Sequence, residues 1–308
     1  MSDFSSDEFL KGKSYWTFLP SSNRVQTAPV IYHLSGNLFE SIKNDGAIRI
    51  CAENSILILE HATFTSITSN QNGGCVLFFP GHSVYQKDIC ARNVYSSTKS
   101  NYGFINISQT SENINYISMI SIVDCITTPR TSDMIWIGGG KASTSYYNST
   151  NNNIYNSPGF YLGYSVGRAT ASFLNVLLGV AEFNAIICSD SVCLIQNSNF
   201  YKDSVGEASQ SFLCLLKDTS VVDHCVFAQN TANNFLLKRL SVTYCSFDKN
   251  SFGSVPNSSP YTGSYSFVVN TQCHMWKHND CIKNYSCVSR YSTVNSFMFS
   301  FFIFILLI

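Results

Sequence analysis

Charge is what this chain has least of. Only 12% of its 308 residues are charged, about half the usual share of a soluble domain. Nineteen basic residues balance nineteen acidic ones, so there is no cationic excess to neutralise a phosphate backbone, and nucleic acid is excluded as the expected partner. Long helical surfaces are built from Glu, Lys, Arg and Ala, and that stock is missing too. Ser and Asn instead supply about a quarter of the chain. With Thr, Tyr and Phe they favour strands and turns. Hydrophobic residues at 45% and aromatic residues at 14% supply an ordered core and rule out global disorder.

No export signal is read in the first residues, so the expectation is either entry into a membrane by another route or a leader encoded upstream of this sequence. Met1 to Tyr15 carries Asp3, Asp7 and Glu8, has no early basic region, and has no apolar stretch. The other end differs. After Arg290 come 18 uncharged residues, of which Phe297 to Ile308 (FMFSFFIFILLI) is apolar apart from Ser300. As a helix, 18 residues reach about 27 Å, close to the hydrocarbon thickness of about 30 Å. The expectation is a membrane anchor over 291–308. A buried terminal strand or helix is the alternative, as is a cleaved lipid-anchor signal whose small residues would be Ser286, Cys287 and Ser289.

Between the ends lies a degenerate repeat. Leu194 to Asp203 reads LIQNSNFYKD, Val221 to Asn230 reads VVDHCVFAQN, and Ser241 to Asn250 reads SVTYCSFDKN. Aligning Phe200, Phe227 and Phe247 places Cys225 over Cys245 and Asn230 over Asn250. Weaker copies carry Phe64, or place Cys90 and Cys125 at the Cys position, and Phe173 to Gly179 is a further candidate. Short apolar runs follow the copies: Cys75 to Phe79, Gly103 to Ile107, Met134 to Ile137, Phe212 to Leu216 and Phe235 to Leu237. A repeat of strand, turn, strand, turn at about 20–30 residues is a solenoid signature. One such unit has no core of its own, and stacking piles inward side chains into columns. The fold expected is all-β, a right-handed parallel β-helix with a C-terminal hydrophobic membrane-anchor segment. Residues 46–255 would make roughly nine coils of about 23 residues. Residues 1–45 would be an N-terminal cap or leader, 256–290 a Cys-containing stem, and 291–308 the tail. Asn is expected at tight corners, where it tolerates left-handed backbone and can ladder. Cys75, Cys90, Cys125, Cys188, Cys214, Cys225 and Cys245 are expected as small buried hydrophobes rather than a disulfide framework.

Phe227-Ala-Gln-Asn230 and Phe247-Asp-Lys-Asn250 are FxxN motifs, Phe200-Tyr-Lys-Asp203 differs by one residue, and Gly73-Gly74-Cys75-Val76 is similar to a GGA(I/L/V) motif. Together they resemble the FxxN and GGA repeats of polymorphic outer membrane proteins. The Asn/Ser/Phe/Cys-rich texture and hydrophobic tail resemble right-handed β-helix surface proteins of parasitic protists. The resemblance covers roughly residues 46–255. It implies a parallel β-helix used for display or adhesion at a cell surface, with host or extracellular proteins or glycans as partners.

Several motifs could carry chemistry. Gly163-Tyr-Ser165-Val-Gly167 fits the G-x-S-x-G nucleophile elbow. A hydrolase would need an acid and a His downstream, such as Asp223 and His274, and would draw Ala169 to Ala181 as a helix. No alternating βα pattern surrounds the motif, so a Gly-flanked β-helix corner is the competing reading. A polysaccharide-acting β-helix would need a carboxylate pair. Asp203, Asp223 and Asp248 stand near the repeat, but at different offsets from the aligned Phe. Gly138-Gly-Gly-Lys141 fails as a phosphate loop, because Ile135 and Ala142 stand where Gly and Ser/Thr are required. It reads as a turn into a long loop over Ala142 to Ser157. Cys273, His274, His278, Cys281 and Cys287 lack paired zinc-ligand spacing and suit a disulfide-braced stem, zinc or reduced thiols. Asn106, Asn148, Asn257 and Asn284 open glycosylation sequons, which matter only in an exported chain. The reading is a non-catalytic, membrane-attached surface protein with no cofactor or metal. A hydrolase is the alternative.

Overall fold

The aligned phenylalanines stack. In the computed structural model, which describes residues 16–17, 31–126, 133–206, 211–236 and 241–253, Phe200, Phe227 and Phe247 are register partners on adjacent parallel strands. Their rings lie 4.8 Å and 5.0 Å apart and nearly parallel. The same inward column continues back through Val176, Ser149, Ile122, Ala91, Phe64 and Phe39. Phe64 therefore occupies the repeat position but stacks on Phe39, separated from Phe200 by smaller side chains.

Among the described residues every strand pair in the three sheets, of fifteen, eight and four strands, is parallel, and these residues form a β-solenoid of about seven turns with no helix. The seven turns replace the nine expected, because the coil is longer than 23 residues. Register partners on the first wall are 27 residues apart for Ile56 and Ser83, 31 for Val84 and Asn115, 24 for Thr170 and Leu194, and 20 for Val221 and Ser241. The stack also includes residues before 46, since Ile31–Ser35 and Leu38–Glu40 pair with Ile56–Ser69.

Each coil enters the first wall, bends twice, turns, and crosses a second wall. Early coils pass both bends as one strand, as in Ile56–Ser69 and Ser83–Ser96. Later coils break there into short strands, such as Val192–Gln196, Asn199–Tyr201 and Ser204–Val205. The bends are single residues in the left-handed region. His61, Asp88, Met119, Tyr146, Phe173, Asn197, His224 and Tyr244 form one such column, with φ from +49° to +58°. Left-handed backbone costs an L-residue about 1–2 kcal/mol. Here the bent residue turns its side chain outward to stack on the next coil: Tyr146 on Phe173 at 4.9 Å and His224 on Tyr244 at 4.8 Å.

The FxxN asparagines ladder between coils at a corner, as expected, but the left-handed residue is the one before each of them. Gln229 and Lys249 take the left-handed conformation, and Asn230 and Asn250 follow them facing inward. Asn250 Oδ1 accepts Asn230 N–H at 2.9 Å, and Asn250 Nδ2 donates to Phe227 O at 2.7 Å. Asn230 repeats both bonds one coil back, to Asp203 N–H and Phe200 O. Asn152 does the same to Cys125 N–H and Ile122 O. The ladder thus satisfies buried backbone groups at the corner, where the sheet cannot.

The stretch expected as a loop over 142–157 is largely strand. Lys141–Thr150 pairs with Ile114–Val123 on one side and with Arg168–Ser172 and Asn175–Leu177 on the other. Its polar residues bond across coils, Ser145 to Ser118 at 3.1 Å and Asn148 to Ser121 at 2.9 Å, which offsets their weak strand preference. The turn before it is tight: Gly139 and Gly140 have φ of +78° and +59°, and a Cβ on Gly139 would overlap Ile107 O. A Cβ on Gly74 of the GGA-like motif would likewise overlap Asn101 O of the next coil.

The cysteine expectation is corrected in part. Cys75, Cys125 and Cys225 are buried thiols in the core. Cys188 forms a disulfide with Cys193 across a corner, and Cys90 is also disulfide-bonded. Nor do Cys90 and Cys125 share the repeat's Cys position. Cys90 pairs with Thr63 and Ser121, in the column that leads to Val226. Cys125 stands in the asparagine column, its N–H donating to Asn152 Oδ1 at 2.9 Å. An offset of one residue moves a strand side chain to the other face.

Candidate binding wall

The second wall holds the strands Ile48–Ile50, Val76–Gly81, Gly103–Ile107, Ile135–Gly138, Tyr161–Gly163, Ile186–Ser189, Ser211–Leu215 and Asn234–Leu236. Alternation sends one side chain in two to the core. Val76, Ile105, Ile135, Ile137, Leu162, Ile186 and Leu213 belong to that core. The residues between them point away from it, and register aligns them into one column: Leu77, Phe104, Trp136, Tyr161, Ile187 and Cys214.

This outward column is apolar, and within it Leu77, Phe104 and Ile187 are buried while Trp136, Tyr161 and Cys214 are partly exposed. Its members pack edge to face: Phe104 on Trp136 at 4.6 Å with planes tilted 60°, and Trp136 on Tyr161 at 5.2 Å and 86°. Phe79, 44% exposed, flanks Phe104 at 6.2 Å. Lys99 Nζ stands 5.7 Å above the Trp136 ring, a cation–π geometry. Tyr161 Oη and Ser189 Oγ are hydrogen-bonded at 2.6 Å, and burial pushes the phenol pKa up, so this hydroxyl stays protonated at neutral pH. The first wall's outward face is mixed: Ile56, Ile58, Tyr85 and Tyr116 form an apolar cluster apart from the core, and the column beside it is largely polar. Glu60, Lys87, Ser118, Ser145, Ser172, Gln196, Asp223 and Thr243 succeed one another there.

The catalytic candidates are dispersed. Ser165 is 8% exposed, and its N–H donates to Ser191 Oγ at 2.6 Å on the next coil. Cys193 N–H repeats the bond to Ser220 Oγ at 3.0 Å, so serine recurs as a corner bracket. The segment after Ser165 is strand, Arg168–Ser172 and Asn175–Leu177, rather than the helix a nucleophile elbow needs. Asp223 is two coils further along, in register with Gln196 and Ser172, and pairs with its neighbour His224 at 2.7 Å. His274 lies outside the described residues, as do Cys273, His278, Cys281, Cys287 and the tail.

Asp203, Asp223 and Asp248 share no face. Asp203 is buried in the asparagine column, Asp223 faces outward on the first wall, and Asp248 is exposed beside Ala228. Burial raises the Asp203 pKa well above the usual carboxylate range. Among the described residues no group of three His, Cys, Asp or Glu is placed to hold a metal ion, and no helix is long and apolar enough to cross a membrane. Of the sequons, Asn106 lies on the second wall, and Asn148 is tied to Ser121 and accepts from Thr150 Oγ1 at 3.1 Å. Asn257 and Asn284 lie outside the described residues.

The aromatic column was not singled out from the sequence. Its signal is that the second-wall strands read apolar at consecutive positions (VLFF, IWI, IIC) rather than at alternate ones, as in sheets covered on both faces. Compared with protein-family models, curated proteins and solved structures, the chain matches none.

Proposed function

We propose that this is a non-catalytic, membrane-attached surface protein whose β-solenoid serves as a spacer and a protein-binding wall. The observation that carries the reading is the outward apolar column from Leu77 to Cys214. Aromatic side chains are enriched at interface centres, and the accessible part of this column is Trp136 and Tyr161 with Phe79 at its flank, while Leu77, Phe104 and Ile187 are buried beneath them. A glycan is less suited, because sugar recognition needs converging polar groups and this column offers few. We infer a right-handed coil, the hand taken by nearly all parallel crossovers. Membrane attachment rests on the 18 uncharged residues after Arg290, and the resemblance to β-helix surface proteins points the same way.

Two experiments test this reading. Deleting Asn295 to Ile308 is expected to release the protein from the membrane fraction and to abolish its protease-accessible display on intact cells. Full-length protein that is soluble without detergent overturns the anchor. Trp136→Ala is expected to weaken capture by an array of extracellular-domain proteins at least about ten-fold, the loss typical of an interface centre. Thr170→Ala, on the first wall and away from this column, is expected to leave it unchanged. Equal effects of the two, or capture by a glycan array alone, overturn the protein-binding wall. Ester hydrolysis by the purified protein that is lost in Ser165→Ala overturns the non-catalytic reading.

A further inference from the structure

We infer that Cys225 and Cys245 are a thiol pair that closes to a disulfide, joining the last two described coils. The two residues follow the first-wall bends at His224 and Tyr244, at the same step of successive coils. Cys225 N–H donates to Cys245 Sγ at 3.4 Å, which holds the second sulfur against the first cysteine's backbone. Strands in a parallel stack lie about 4.8 Å apart, inside the Cα separation a disulfide spans. The chain already carries one disulfide at a corner, between Cys188 and Cys193.

The environments of the two sulfurs set the order of events. Cys225 is 1% exposed, and burial holds its thiol well above the ordinary pKa. Cys245 is half-buried on the outermost described coil. Hydrogen bonding from Cys225, whose N–H donates to the Cys245 sulfur, draws its pKa down. Thiolate is the nucleophile in exchange, so Cys245 attacks first. With a small-molecule disulfide such as oxidised glutathione, Cys245 Sγ bonds to one glutathione sulfur and the other leaves as thiolate, taking up the proton Cys245 lost. Cys225 then loses its proton, its sulfur bonds to Cys245 Sγ, and the second glutathione departs as thiol. Two protein thiols are oxidised by two electrons, and one small disulfide is reduced to two thiols.

Serine variants keep the fold, because the column already contains one. Ser198 holds the equivalent position one coil before Cys225. Its hydroxyl accepts Leu174 N–H at 3.1 Å and donates to Gln196 O at 2.7 Å, as Cys225 Sγ donates to Asp223 O at 3.3 Å.

The test is to reduce the full chain, expose it to oxidised glutathione, alkylate, and map peptides without reductant. The expected result is a peptide pair linked through Cys225 and Cys245 that dithiothreitol separates. Cys225→Ser should stop at a stable glutathione adduct on Cys245, and Cys245→Ser should leave Cys225 largely unmodified. Slower hydrogen exchange over Val226 to Asp248 after oxidation is the second expected readout. The inference is overturned if both thiols are still alkylated after oxidation, if either links to another cysteine, or if Cys225 acquires glutathione equally fast in Cys245→Ser. None of these outcomes depends on ligand binding or membrane attachment.

Discussion

Phe227→Ala is expected to cost about 3–5 kcal/mol of stability, the range for truncating a buried aromatic. Phe227 is fully buried. It stacks on Phe200 at 4.8 Å and Phe247 at 5.0 Å, and meets the edges of Phe235 at 4.8 Å and Phe212 at 6.0 Å. Removing the ring opens a gap between two coils that hydrogen-bonded strands on both sides hold apart, so the site cannot collapse. Phe247→Ala should cost less, since Phe247 is only half-buried. Stability in a solenoid is a sum of coil and nearest-neighbour terms. The Phe227 variant should therefore lose protection first in the coils around it. Urea unfolding with hydrogen exchange checks this. A Phe227→Ala cost of no more than about 1 kcal/mol, the usual size for an ordinary substitution, would show that the column does not bind the coils together.

The same column explains what could be read from the sequence. Phe200, Phe227 and Phe247 are successive, identical and inward, so their alignment reveals both the stack and its register. Further back the column passes through Ser149, Ile122 and Ala91, which fill the same space with unrelated side chains and leave no signature. The coil length was underestimated for a related reason, since the C-terminal spacings of 27 and 20 include the shortest coil. The strand Lys141–Thr150 looked like a loop because Ser, Thr and Asn are weak strand formers in isolation. Their support comes from Ser118 and Ser121, 27 residues away. The outward column was hidden in the same way. Leu77, Phe104, Trp136 and Tyr161 are spread over 85 positions and become neighbours only once register is known. Ser165 shows the reverse error. Its pentapeptide is conspicuous in sequence, yet its backbone bond to Ser191 is one of a series of corner brackets.

Asp203→Asn is expected to stabilise the protein at neutral pH by about 1–3 kcal/mol, the cost of a buried polar group left unsatisfied. Asn152, Asn230 and Asn250 each accept a backbone N–H with Oδ1 and donate to a carbonyl of the preceding coil with Nδ2. Asp203 occupies the same column. Its Oδ1 accepts Gly179 N–H at 2.7 Å, but Oδ2 stands where the others carry a donor and has no hydrogen-bond partner. By register the carbonyl in question is that of Val176, since Phe200 pairs with Val176 as Phe227 pairs with Phe200. A carboxylate there faces a carbonyl and loses its water, whereas a protonated carboxyl donates and completes the ladder. Burial accordingly raises the folded-state pKa well above the unfolded value of 3.8. The sign follows from proton counting: between the two pKa values the folded state holds a proton that the unfolded state has released. The stability contributed by Asp203 is thus fully present below about pH 3.8, falls as pH rises toward the folded-state pKa, and is lost above it. Asparagine carries its donor at every pH. The difference in unfolding free energy between Asp203→Asn and the parent chain should therefore grow from acid toward neutral pH. Urea titrations at a series of pH values measure that difference directly. A gap independent of pH, or a parent chain more stable than the variant at pH 7, would mean that the buried carboxyl finds its partner without a proton.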